Sequence, residues 1–354
     1  MTAYLALEDL PLDRKLTAPA YQALPAESIL GLREGERISV RDLLYSLILA
    51  SANDSAVTIA EGDAGSVPAF VDEMNDAAQE LGLTDTSYTN PIGLDDPGNR
   101  SSARDLITLA GELMENKLFR RIADSTEATI HTDQRTIEIT TRDTLLLTDP
   151  SVTGIKTGHT LEAGYVFVGS ATREGVNLLS VVLGAPSEAA RDADTEVLLD
   201  YGFSLYERRT PVRDGEALAH PELAYQDGTL GLEAARTLSV SLRRDQKLAT
   251  EVDAPDEVVG PIEKGERLGK VTVTVDGSRV GSVPLLASRR AEAATFTEKL
   301  RSRFPVAVAV AVLAFVVILI VVVLVRRRSG VPRTAEERMS SRDERMRRRG
   351  DEPS

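Results

Sequence analysis

Residues 154–171 read GIKTGHTLEAGYVFVGSA, and the two halves of this stretch behave differently. From Gly164 the residues are small, β-branched and aromatic, which predicts a strand over Gly164–Ala171. The first half places one lysine, Lys156, ahead of Thr157 and Gly158 on the way into that strand. Taken alone, such a lysine is a solvated charge at a strand edge, and Thr-Gly is a common turn fragment. Its meaning depends on what the rest of the chain brings to it.

Downstream, GVNLLSVVLG (175–184) predicts a second strand joined to the first at Arg173–Gly175, and a helix follows over about Ser187–Tyr201. Upstream, EATIH (127–131) and RTIEIT (135–140) predict a hairpin around Thr132–Gln134. Before residue 124 the period is helical. RDLLYSLILA (41–50) is a short apolar helix running into the polar break SANDS (51–55). Ser66 caps a helix with Phe70, Met74, Ala77, Ala78 and Leu81 on one face and Gly82 as its stop. Ser102 and Asp105 have capping-box spacing before Leu106, Leu109, Ala110 and Leu113. Tyr4, Leu5, Leu7 and Leu10 fall at helical spacing, so the chain opens inside a helix with no capping residue before Met1. Helices and antiparallel strands thus share one unit, residues 1–208, an α+β layering.

After it the texture changes. Asp214-Gly215, Asp227-Gly228 and Asp276-Gly277 are turn dipeptides, and VTVTVDGSRVGSVPLLA (271–287) is strand, turn, strand. Residues 209–290 are expected to form a small all-β domain, and 291–303 a polar stalk. Residues 304–325 are 22 uncharged residues, a helix of about 33 Å, enough for a bilayer core of about 30 Å. Arg326, Arg327 and Arg328 follow, which the positive-inside rule places on the cytoplasmic side, with residues 1–303 outside the cell. The tail 326–354, rich in arginine and poor in apolar residues, is expected to be disordered.

Composition narrows the chemistry. There is no cysteine, so disulfides and thiolate metal sites are excluded. His131, His159 and His220 are scattered, with no H-x-x-x-H pair, so no metal site is expected. The net charge of −14 is uneven: the tail 326–354 has ten arginines against six acidic residues, so residues 1–303 carry the acidic excess, which argues against nucleic-acid binding because phosphates would be repelled.

Two short stretches remain: Ser51-Ala52-Asn53 after an apolar helix, and Lys156-Thr157-Gly158. A serine and an asparagine after a helix commonly serve as a cap or turn. The chemistry that would use both stretches is acyl transfer by an activated serine, which needs a nucleophile, a lysine to take its proton and an amide to orient the substrate. The motif set S-x-x-K, S-x-N and K-T-G describes that arrangement.

On these residues the chain resembles the low-molecular-mass penicillin-binding proteins, the serine-type D-alanyl-D-alanine carboxypeptidases. SANDSAV, GLDDPGNRSSARDL, GIKTGHTLEAGYVFVGSA and RDADTEVLLDYGF are similar to this family's blocks and stand in its order, and the β domain, stalk and C-terminal anchor are similar too. The resemblance implies a penicillin-binding-protein/β-lactamase-like transpeptidase fold with no cofactor. The enzyme would trim the terminal D-Ala of peptidoglycan stem peptides through an acyl-enzyme that β-lactams would trap. It implies that Ser51 relays protons, that Asn53 bonds the substrate's peptide carbonyl and that Lys156 supplies the cation. Thr157, Gly158 and His159 would line the substrate strand, with His159 tolerated and not needed as a base. Arg191 would stand near the terminal carboxylate, or else be a solvated surface arginine.

One element departs from the pattern. No serine in the chain has a lysine three places on. Met1-Thr2-Ala3 resembles the Met-Thr-Ala that follows the family's Ser-x-x-Lys and one variable residue. The expectation is therefore that the nucleophile, its lysine and a secretory signal lie upstream, through a start assigned at an internal methionine or a truncated gene. The alternative is a non-catalytic peptidoglycan-binding or scaffold protein that keeps the groove. A β-lactamase or esterase on the same fold fits less well, given the β domain and anchor, and no acidic residue is assignable to deacylation.

Overall fold

Helix caps follow the local sequence signals. The computed structural model describes residues 1–303 and 305–328; Phe304 and the tail from 329, expected to be disordered, lie outside the described residues. Two units are distinguished, the first comprising Met1–Arg209 and Ser239–Lys247, the second Thr210–Leu238 and the chain from Leu248.

In the first unit, helix α1 (Thr2–Asp9) precedes two short antiparallel strands, β1 (Lys15–Thr17) and β2 (Arg37–Ser39). Helices α2 (Val40–Leu49), α3 (Asn53–Ala64), α4 (Val67–Glu80), α5 (Ala103–Glu115) and α6 (Lys117–Ala123) follow. Ser39, Ser66 and Ser102 each accept a backbone N–H at the starts of α2, α4 and α5. The hairpin β3 (Glu127–His131) and β4 (Thr136–Thr140) leads through α7 (Thr144–Thr148) to a three-stranded antiparallel sheet. Its strands are β5 (Val152–Thr160), β6 (Gly164–Arg173) and β7 (Val176–Ala185), in that spatial order, and α8 (Glu188–Ser204) packs on β6 and β7.

The core is centred on α2 and α3. Leu43, Leu44, Leu49, Ala52, Ile59 and Ala60 are buried together with Phe70, Phe119, Ile122 and Ile155. Helix α3 is unusual in being buried on every side from Asn53 to Ala60 although half of those residues are polar. Each polar group finds a partner. The Asp54 carboxylate accepts the backbone N–H groups of Leu30, Gly31 and Leu32. Ser46 Oγ donates to Ser55 Oγ at 2.7 Å, and Thr58 Oγ1 donates to the Asp54 carbonyl. An unpaired polar group here would cost about 1–3 kcal/mol.

β5 is an edge strand, and its start is set by Gly154. With φ at +99°, this position favours glycine, and a Cβ here would come within 2.6 Å of the Ala123 carbonyl on α6. A register shift between Val152 and Ile155 accommodates that approach, after which Lys156 pairs with Val168 and His159 with Tyr165.

In the second unit five antiparallel strands lie in the order Leu248–Asp253, Arg267–Val275, Ser278–Ala287, Leu232–Ala234, Ala217–Ala219. Val271, Val273, Val283 and Leu285 form its buried face. The turn at Asp276-Gly277 has positive φ at both residues, as a tight hairpin requires. Helices α9 (Phe296–Arg303) and α10 (Pro305–Arg328) end the described chain. Within α10, an 18-residue stretch of Val308–Arg328 has a mean hydropathy of 3.7 and is not buried, and the helix is long and apolar enough to cross a membrane.

Candidate active site

Ser51 sits at the sharp joint between α2 and α3. Ala50 and Ala52 both donate their N–H to the Ser46 carbonyl, so the chain turns within three residues, and Ser51 takes φ of +57°. That left-handed conformation is costly for a residue with a Cβ and typical of functional positions held by their surroundings. It brings Ser51 Oγ to β5, where Lys156 Nζ donates to it at 2.9 Å across 105 residues of sequence.

Both groups line one cavity of about 490 Å³, together with Asn53, Thr157, Gly158 and His159. The site residues on β5 thus lie along an unpaired strand edge, which an extended peptide can join through main-chain hydrogen bonds. Tyr88, Asn90 and Arg100 and the first turn of α1, Met1 to Ala3, line the same cavity. Thr2 Oγ1 donates to the Pro91 carbonyl at 2.8 Å, tying that turn to the wall. His159 is exposed, its ring stacked on Tyr165 with centroids 4.0 Å apart, and it shapes the rim.

The cavity is electropositive at Lys156. Burial lowers its ammonium from the ordinary 10.5 to about 8, and the nearby charges of Arg142 and Arg191 push the same way against Asp143. Its bonded partners are neutral oxygens, Ser51 Oγ and the Thr157 carbonyl. A desolvated cation held this way is suited to receive an anion or to exchange a proton near neutral pH.

Arg191 is enclosed, which rules out the solvated surface arginine offered as the alternative. It is 3% exposed and is not among the residues lining the cavity. Its guanidinium is bonded to Asp192 at 2.6 Å and to Glu188 and Thr144 at 3.2 Å, and it lies over the Phe167 ring. It reaches the site through its charge near Lys156.

One cavity residue has no counterpart in the sequence reading, which assigned no acidic group to the site. Glu27 lies in the cavity wall, where Asn53 Nδ2 donates to its carboxylate at 2.9 Å. Residues 20–36 have no period to read, and nothing local marks this glutamate. Among the described residues no group of three or more acidic, histidine or cysteine side chains is placed to hold a metal.

Comparisons with known proteins agree on one family. A family model described as D-alanyl-D-alanine carboxypeptidase matches residues 1–187, and one described as penicillin-binding protein 5, C-terminal domain, matches residues 206–293. D-alanyl-D-alanine carboxypeptidase DacF of Bacillus subtilis is 30% identical over 85% of this chain and 80% of its own length. DacC of Escherichia coli is 32% identical over 84% of this chain and 77% of its own. Among solved structures, penicillin-binding protein 5 from Haemophilus influenzae superposes with a TM-score of 0.55 and 29% identity, covering 82% of this chain and 88% of that one. The Streptomyces K15 DD-transpeptidase gives 0.55 and 33%, over 58% and 85%.

Proposed function

Since the chain belongs to the D-alanyl-D-alanine carboxypeptidase family, we propose that its cavity receives the D-Ala-D-Ala end of a peptidoglycan stem peptide and serves a serine acyl-enzyme mechanism. The observation that carries this reading is the 2.9 Å bond from Lys156 Nζ to Ser51 Oγ beside the free edge of β5. In this reading the peptide lies along β5 as an added strand. Its terminal carboxylate is drawn to Lys156 and Thr157, and Asn53 holds the carbonyl of the preceding peptide group. Ser51, bonded to a lysine whose proton is loosely held, passes protons to and from the departing D-Ala. Arg191 keeps that lysine's proton mobile without touching the substrate. β-Lactams would occupy the same place and acylate the same nucleophile. Helix α10 is the membrane anchor, with residues 1–303 on the exterior face.

In this reading the nucleophile belongs to a Ser-x-x-Lys segment, and no serine in residues 1–354 has lysine three places on. Met1 lines the cavity that holds Ser51 and Lys156. A Ser-x-x-Lys-x segment ahead of Met1 brings its serine to both in this reading. The second reading, a non-catalytic peptidoglycan-binding protein, takes the same groove without that segment.

Labelling with fluorescent penicillin, combined with mass spectrometry of the N-terminus, separates the two in protein purified from its native host. Covalent labelling of a polypeptide extended ahead of Met1 is the expected result. Native protein that starts at Met1 and takes no label would leave only the binding role.

A further inference from the structure

The loop before β2 is held to the site by more bonds than its irregular backbone would suggest. Asp54 takes three of its backbone N–H groups, and Asn53 N donates to the Ser28 carbonyl at 2.8 Å. At its far end Glu36, fully buried, is paired with Arg135 at 3.0 Å and accepts from Thr132. These anchors all follow Glu27 in the chain, from Ser28 to Glu36, so the stretch next to it is held in place, and Ala18 closes the loop by donating to the Glu36 carbonyl. Glu27 Oε1 accepts the Leu24 N–H at 2.9 Å; Oε2 accepts Asn53 Nδ2 at 2.9 Å and the Tyr21 hydroxyl.

An ionised carboxylate can only accept hydrogen bonds. Facing Glu27, the Asn53 amide must therefore present its nitrogen, since the flipped amide would set Oδ1 against like charge. A serine or threonine in the place of Glu27 could donate or accept and would leave both amide orientations open. Glu27 is kept in the charged form: burial opposes ionisation, but the bonds from Tyr21, Asn53 and Leu24 hold its carboxyl below the usual range. Of the two protons on Nδ2, Glu27 takes one; the Tyr21 hydroxyl also lies against this amide, and the second proton is the donor that the inference assigns to a ligand.

We infer that Glu27 is a positioning residue, which fixes the Asn53 amide in the one orientation that offers an N–H to the substrate's peptide carbonyl, with Tyr21 steadying it. The inference rests on the carboxypeptidase reading for the identity of that carbonyl, but not for the amide orientation itself.

The test uses the full chain with 15N label, reading two quantities: the side-chain NH2 resonances of Asn53, assigned by their loss in Asn53→Asp, and the affinity for an N-acyl-D-Ala-D-Ala peptide. Glu27→Ala should shift the Asn53 NH2 pair and weaken peptide binding about tenfold, the size of a charge-assisted hydrogen bond. Glu27→Gln, which can still accept through its amide oxygen, should restore affinity to within about threefold. Adding Glu27→Ala to Asn53→Ala should cost nothing further. Unchanged Asn53 resonances in Glu27→Ala, or a full additive loss in the double variant, would overturn the inference. A native chain that binds no such peptide would count against the carboxypeptidase reading, while the resonances would still decide on Glu27.

Discussion

Lys156 and Arg191 are two cations of one unit, close enough for the charge of one to lower the proton affinity of the other, yet their surroundings differ in kind. Arg191 is enclosed by Asp192, Glu188 and Thr144 and stacked over Phe167. Lys156 is bonded to a hydroxyl and a carbonyl and opens onto a cavity. A guanidinium offers several donors in a rigid plane and suits permanent enclosure, whereas an ammonium is a compact charge whose proton can be lost. The neutralised cation is bonded into the fold, and the one without a carboxylate partner lines the cavity, where the proposed reading gives it a ligand.

That contrast breaks most sharply at Arg191. Arg191→Ala would leave Asp192 without its cation in a mostly dry setting, a loss of about 3–5 kcal/mol by the general cost of halving a buried pair. Chemical denaturation should show the whole loss as a fall in midpoint. A change below about 1 kcal/mol would mean the cluster is solvated and the contrast false.

Lys156→Met should behave in the opposite way. Removing a desolvated cation leaves stability unchanged or higher, because no carboxylate is bonded to it. Affinity for an acyl-D-Ala-D-Ala peptide should fall about 100-fold, roughly 2.7 kcal/mol. Calorimetry on the detergent-solubilised chain reads both quantities, and a marked fall in melting temperature without a change in binding would reverse the two roles.

The pH dependence sharpens the difference. With its pKa lowered to about 8, Lys156 loses its charge above that value, so affinity for a carboxylate ligand should drop by up to tenfold for each further pH unit. Between about 8 and the ordinary 10.5 the unfolded chain binds the lysine proton more firmly than the folded one. In that window this group adds stability as pH rises, the reverse of a lysine that gains an anionic partner on folding. Lys156→Met should lack both trends, and a binding profile flat to pH 10 would show the ammonium is not desolvated.

Much of this was legible in the sequence for a physical reason. Caps such as Ser66 and Ser102 bond within three residues, so the information is local. Gly154 went unread, because its close approach to the Ala123 carbonyl joins segments 31 residues apart. Ser51-Ala52-Asn53 was legible as a break, but not as the entry to a buried helix. The burial of Asn53, Asp54, Ser55 and Thr58 depends on partners from 9 to 26 residues away, or on a backbone bond inside the helix. Glu27 was illegible for the same reason, and the enclosure of Arg191 depends on Thr144 as well as its own helix.

The smallest effect tests whether the strain at Ser51 belongs to the site. At φ of +57° any residue with a Cβ pays about 1–2 kcal/mol relative to the right-handed region, while glycine is nearly indifferent. Ser51→Ala keeps the strain and loses the hydroxyl; Ser51→Gly loses both, at an entropic cost of about 0.5–1 kcal/mol in the unfolded chain. The glycine variant should therefore be the more stable of the two by about 0.5–1 kcal/mol, and both should bind peptide more weakly than the parent because neither can accept from Lys156. Equal stabilities would mean the joint between α2 and α3 relaxes around the alanine. In that case the backbone does not hold the hydroxyl against Lys156, and the 2.9 Å bond itself must be what draws Ser51 into place.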